Sequence, residues 1–261
     1  MKYYYFIVEG VHDVQALIKM LKTHHFTRIN KKEDVPTYWH PLIPKNYPYE
    51  GDLTRPMPTP FFLKEAEGNR SIAIMNAGGE GNFKDSLISA LFQLDVTLLE
   101  SISLFMDADR KTADDKIRDF SYKLIGDPML EQVAQSIKSW RDGITINNLT
   151  FRFYVFPNNE SSGELEDLLL DGGELVYDEL LRDSSQYIEK VKNSRYPYVK
   201  DKYFGKAKEK KMLFGVTANI FRAGKANQVS IQDNDWICSE TIETVEAQRR
   251  LNEFLKETLH L

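Results

Sequence analysis

Short apolar runs that stop at acidic or glycine-rich turns alternate with stretches of helical spacing, and this alternation predicts an α/β protein on a mainly parallel sheet flanked by helices. The acids support that reading: Glu9 follows the run 4–8, and Asp107 and Asp109 follow the run 102–106. In an open α/β sheet the carboxyl ends of the strands are where ligands and chemistry gather.

The elements follow in chain order. Residues 3–8 read as a strand and Glu9-Gly10 as a turn. A helix over 11–21 comes next, with Val14, Leu17, Ile18 and Leu21 at helical spacing. From 23 to 69 the pattern breaks. Seven prolines (36, 41, 44, 48, 56, 58, 60), interspersed with Tyr38, Trp39, Tyr47 and Tyr49, predict an irregular insertion packed down by its aromatics or acting as a lid. Residues 71–75 form the second strand, ending in Asn76-Ala77-Gly78-Gly79-Glu80-Gly81 ahead of a helix through Leu87, Ile88, Leu91 and Phe92. The third strand is 102–106, and a helical region over 113–140 is broken at Gly126-Asp127-Pro128. A fourth strand over 150–156 leads to the run 163–170. Beyond Lys206 come a further helix, a short strand near Trp236 carrying Cys238 as a buried thiol, and an amphipathic helix over 240–259. The expectation is one domain: a core of about 3–22 and 70–170, the insertion of about 23–69, and a helical C-terminal extension of about 171–261.

At 261 residues and 42% hydrophobic the chain can bury a real core. The start of the sequence carries no apolar signal core, and no apolar run approaches the ~18 residues that span a bilayer, so the expected setting is cytoplasmic and away from membranes. Cys238 is the only cysteine, which excludes an internal disulfide and a cysteine zinc cage. A net charge of −5 does not advertise a nucleic-acid binder. The stretch 190–211 does, with nine basic residues interleaved with Tyr196, Tyr198, Tyr203 and Phe204. A solvated lysine-rich face explains the same stretch.

Adjacent parallel strands lie ~4.8 Å apart, so carboxylates leaving neighbouring strands at one edge can share an ion. Magnesium or manganese suits oxygen donors of this kind, and phosphoryl transfer or phosphodiester hydrolysis is the chemistry such an ion serves. Taken alone, Asp107 and Asp109 also suit a turn and a helix N-cap. His12, between Glu9 and Asp13, could approach a phosphate, and reads first as a solvent-facing residue of the first helical turn.

The segment Phe6-Ile7-Val8-Glu9-Gly10-Val11-His12-Asp13, followed by Leu104-Phe105-Met106-Asp107-Ala108-Asp109, resembles the TOPRIM domain of topoisomerases, bacterial primases, recombination-mediator proteins and OLD-family nucleases. The resemblance covers roughly residues 3–170, interrupted by the insertion. It implies Glu9, Asp107 and Asp109 as magnesium ligands. The OLD-like nucleases are nearest in pattern and imply two further acids for a second metal: Asp13, and Glu166 in Gly163-Glu164-Leu165-Glu166-Asp167, with Glu164 its competitor. They also imply a downstream catalytic lysine, for which Lys206 and Lys208 are candidates, and a glycine turn near the site, matched by Asn76-Ala77-Gly78-Gly79. Stand-alone bacterial proteins share the Glu, Asp-x-Asp and Gly-x-Leu-Glu-Asp-Leu-Leu pattern. The sequence has no Gly-x-x-x-x-Gly-Lys-Ser/Thr loop, so the resemblance leaves a separate ATPase or a second copy of the chain as protein partners. The expected function is magnesium-dependent cleavage of nucleic acid, DNA ahead of RNA. Two rivals stand beside it. One is a TOPRIM-like module that binds nucleic acid or protein without turnover. The other is a receiver-like or phosphatase-like domain, which the glutamate on the first strand fits poorly.

Overall fold

The computed structural model describes residues 1–45, 59–194 and 206–261. Strands β1 (Lys2–Val8), β2 (Phe26–Ile29), β3 (Phe61–Glu65), β4 (Arg70–Asn76), β5 (Leu99–Asp107), β6 (Ile144–Ile146) and β7 (Leu149–Phe156) form one mixed sheet ordered β2-β3-β4-β1-β5-β7-β6. The four central strands β4, β1, β5 and β7 are mutually parallel, and the outer β2, β3 and β6 are antiparallel to their neighbours.

Alternation along β1 divides the core in two. Tyr4, Phe6 and Val8 face one layer, built from α1 (Val11–Lys22), α5 (Leu165–Val176) and the C-terminal helices. Tyr5 and Ile7 face the other, built from α2 (Phe83–Gln93), α3 (Ala113–Leu124) and α4 (Glu131–Gln135). Side chains of a strand alternate across the sheet, so a strand that is apolar at every position must be covered on both faces. Because α1 and α3 pack on opposite faces, the helices that follow the neighbouring strands β1 and β5 diverge and open a crevice at the carboxyl edge between them.

Three expectations are corrected. The segment 23–69 is not wholly irregular: its two ends form β2 and β3, which pair with each other and extend the sheet from β4. The prolines fall between the two strands and interrupt neither ladder. Between them Trp39, on a 3₁₀ turn over Thr37–Leu42, is fully buried; its Nε1 donates to Ser71 Oγ (2.9 Å), which donates to Leu63 O (3.0 Å). Tyr47, Tyr49, Pro48, Pro56 and Pro58 lie outside the described residues. Second, residues near Trp236 form no strand; they link α8 (Asn227–Asp233) to α9 (Ser239–Thr244), where Cys238 is the half-buried N-cap residue. Third, the helix expected over 240–259 is two, α9 and α10 (Glu246–Leu259), parted at Val245. Strand β6 shows no sequence signal beyond three residues. No helix among the described residues is long and apolar enough to cross a membrane.

The C-terminal helices α6 (Asp178–Lys192), α7 (Lys206–Phe221), α8, α9 and α10 lie on the α1 side. Helix α5 carries two glycines in its interior, a poor choice by propensity alone. Packing explains them: a Cβ on Gly172 would lie 2.3 Å from Trp236 O and 2.2 Å from Gln248 Nε2, and Gln248 Nε2 donates to that same carbonyl (2.8 Å). Gly172→Ala is therefore expected to destabilise the protein by ~1–2 kcal/mol in urea unfolding, overpacking of ~1–3 kcal/mol outweighing a helix-propensity gain of ~1 kcal/mol. A neutral or stabilising outcome would contradict this account of the α5 contact.

Candidate metal centre

Glu9 follows the last residue of β1, and Asp107 is the last residue of the neighbouring β5. Register brings them together, since Val8 pairs with Phe105. The turn after β4 holds the Glu9 backbone. Gly79 N donates to Glu9 O (2.9 Å) and Ala77 N to Val8 O (2.9 Å), and Gly79 adopts φ +126, a conformation open to glycine.

Helix α1 begins with Asp13 turned back on its own N-terminus, where its Oδ2 accepts from Gly10 N (2.6 Å). Helix α5 begins beside Asp107, whose Oδ1 accepts from Leu165 N (2.9 Å). Gly163 makes that approach possible: it adopts φ +147, its carbonyl accepts from Asp109 N (2.8 Å), and a Cβ there would sit 2.7 Å from Asp167 Oδ2. Glu164 and Glu166 thus enter beside Asp107, and oxygens of these three carboxylates lie within 4.8 Å of one another.

A cleft of about 220 Å³ is lined by Glu9, His12, Asp13, Asp107, Glu166 and Lys211 among others. Lys211, on α7, places Nζ 2.7 Å from Glu164 Oε2, off the hydrogen-bonding direction for that buried oxygen. His12, expected to face solvent, instead lines the cleft with Nδ1 3.7 Å from Glu166 Oε1 and its ring edge against Phe214 of α7.

Burial, then the charges of Asp13, Glu9 and Glu166, push Asp107 well above the carboxylate range. Burial likewise raises Asp13 to about 7, only partly opposed by the Gly10 amide. Glu9 is also raised, chiefly by burial, against the pull of Lys116. Glu166 goes the other way: burial would raise it, but His12 and Lys211 hold it low. Lys211 is raised despite burial by Glu164, Glu166 and Asp107. Burial thus favours the neutral forms of Asp13 and Asp107, while His12 and Lys211 favour the ionised form of Glu166.

Asp109 does not join this group. It adopts φ +56 and its Oδ2 accepts from Lys116 Nζ (2.7 Å), which also donates to Glu80 Oε2 (2.9 Å). Of the expected ligands the structure brings Glu9, Asp13, Asp107 and Glu166 to one cleft and sets Asp109 beside it. Lys208 is exposed on α7, and Lys206 opens that helix, its side chain outside the described residues. Lys211 meets the carboxylates, and only its place one helical turn beyond Lys208 could have singled it out. Glu80 and Lys116 carried no signal. In the basic stretch, residues 195–205 lie outside the described residues; Lys192 pairs with Glu189 and Glu209, and Lys210 with Asp167.

The donors are all oxygen and crowded. Ligands of one octahedral magnesium sit ~3–4 Å apart, given metal–oxygen distances near 2.1 Å, so a small contraction of Asp107, Glu164 and Glu166 would suit magnesium or manganese.

Residues 3–259 match the model of the family described as "Protein of unknown function (DUF3226)", and the chain belongs to that family. No curated protein matches it. A solved structure, "Crystal structure of hypothetical protein PH0156 from Pyrococcus horikoshii OT3", is similar with a TM-score of 0.54 and 17% identity, over 99% of this chain and 96% of that one. That likeness shows the shared fold.

A carboxyl whose pKa is raised on folding costs nothing below its unfolded value, and its cost grows as pH rises to the folded value. For Asp13 the window runs from 3.8 to about 7. In EDTA, Asp13→Asn, which keeps an acceptor for Gly10 N, is expected to match the parent near pH 4. At pH 8 it should be more stable by ~2 kcal/mol, and by no more than the ~4 kcal/mol that raising a carboxyl from 3.8 to about 7 represents. Chemical denaturation at the two pH values checks this, and an equal difference at both would contradict it.

Proposed function

We propose that this member of the DUF3226 family is a divalent-metal-dependent phosphodiesterase acting on nucleic acid, DNA ahead of RNA. The observation that carries the reading is the convergence of Asp107, Glu164 and Glu166 at the carboxyl edge of the sheet, with Glu9, Asp13 and Lys211 on the same cleft. The TOPRIM-like placement of Glu9 and Asp107 supports it.

Asp107, Glu164 and Glu166 would hold magnesium or manganese, with Glu9 and Asp13 on the same cleft. Such an ion polarises a phosphoryl oxygen and lowers the pKa of a bound water. Asp13 and Asp107 would release their protons as the cluster is neutralised. Lys211, freed from Glu164, would offer its ammonium to a non-bridging phosphoryl oxygen. His12, against Glu166, stands where it could take or give a proton at the attacking or leaving oxygen.

One observation favours the non-catalytic alternative, the engagement of Asp109 by Lys116, which withholds a carboxylate that the TOPRIM resemblance assigns to the metal. Calorimetry and a cleavage assay separate the two. Magnesium binding at pH 7 is expected to release protons, read from titrations in buffers of different ionisation enthalpy, and Asp107→Asn should lose that binding. With circular single-stranded and duplex DNA plus manganese, Asp107→Asn should lower cleavage by about 10²–10³-fold. Lys211→Met should do likewise with little change in DNA affinity. Metal binding without cleavage of DNA or RNA would decide for the binding module, and no metal binding would refute the reading.

A further inference from the structure

We propose that the site takes a single divalent ion, at Asp107, Glu164 and Glu166, and that the ammonium of Lys116 stands permanently where a second ion would lie, holding Asp109 beside Glu80. This inference rests on the reading of the cleft as a metal centre.

The acids at this edge fall into two groups, each with its own lysine. Asp107, Glu164 and Glu166 share Lys211, and Asp109 and Glu80 share Lys116; Glu80 follows Gly79, whose N–H donates to Glu9 O. The two lysines differ in kind. The Lys211 side chain is 54% exposed and reaches the cleft from the rim, so an arriving ion can displace it into water at little cost. The Lys116 side chain is 4% exposed. It rises from the second turn of α3, whose apolar side is packed under the sheet through Ile117, Phe120 and Leu124. Its stem is enclosed while its ammonium meets the partly exposed Asp109 and Glu80, so leaving them would mean unpacking the side chain and separating an ion from both of its partners. Lys123, two helical turns beyond Lys116 on α3, donates to Glu80 Oε1 (2.8 Å) and fixes the far side of the bridge.

Asp109 is held from its backbone as well. Its φ of +56 and the bond from its N–H to Gly163 O set the direction in which the carboxylate leaves the turn. An ion between Glu9 and Asp109 would lie close to the Lys116 ammonium already bonded to Asp109 Oδ2, and the repulsion between the two positive charges weakens binding there. The lysine therefore supplies a fixed positive charge on the Glu9 side of the cleft, and the ion supplies the exchangeable one. Lys116 is a positioning residue that acts through Asp109 and Glu80.

The count of ions tests this on the full chain. Manganese binding, followed by calorimetry and by the EPR signal of free manganese, is expected to give one ion per wild-type chain, one for Lys116→Arg and two for Lys116→Met. Two ions on the wild-type chain, or one on a folded Lys116→Met chain, overturns the inference while leaving the metal-centre reading intact. No ion on the wild-type chain overturns both. If Lys116→Met does not fold, anomalous scattering from manganese-soaked wild-type crystals decides. A single peak at Asp107, Glu164 and Glu166 with Lys116 still on Asp109 supports the proposal, and a peak between Glu9 and Asp109 refutes it.

Discussion

Like charges brought together at one sheet edge are the constraint around which this molecule is arranged. Glu9, Asp13, Asp107, Glu164 and Glu166 meet where β1 and β5 end, and three separate devices offset their repulsion. Burial favours the neutral forms of Asp13 and Asp107. Backbone amides at two helix N-termini, from Gly10 and Leu165, point at those same two side chains. Lys211 and His12 hold Glu166 ionised. Each device is weak or reversible, so a strong external cation can replace the first and third together. A cluster kept only for stability would be better built from apolar side chains of similar volume.

What the sequence shows of this site follows from how local each cause is. Glu9 and Asp107 are legible because an apolar run followed by an acid is a strand end, and parallel pairing puts two such ends side by side. Asp109 reads as their equal, since nothing in the turn announces a positive φ or a buried lysine seven residues later whose Nζ takes the carboxylate. Lys211 is hidden among the many basic residues of the stretch 190–211, and only the packing of α7 selects it. The chain pattern also obscures β2 and β3, because the prolines lie between these two short strands and not within either of them. Trp236 misleads in the opposite sense: an apolar run suggested a strand, yet its carbonyl accepts from Gln248 and its ring is buried among Phe214, Tyr177 and Phe221.

The two lysines come from opposite layers of the fold, and this gives the C-terminal helices a role in the site. Lys116 comes from α3, packed beneath one face, and Lys211 from α7, packed over the other. Between them lies the crevice that divergent helices open at the end of β1 and β5. Phe214, one turn beyond Lys211, is buried and meets both His12 and Trp236, so the position of α7 fixes Lys211 and the His12 ring together. The sheet edge alone would present carboxylates with no cation from this side. The layer formed by α5 to α10 turns that edge into a closed electrostatic unit, and the residues that look most like an appendage in the sequence complete the chemistry of its first strand.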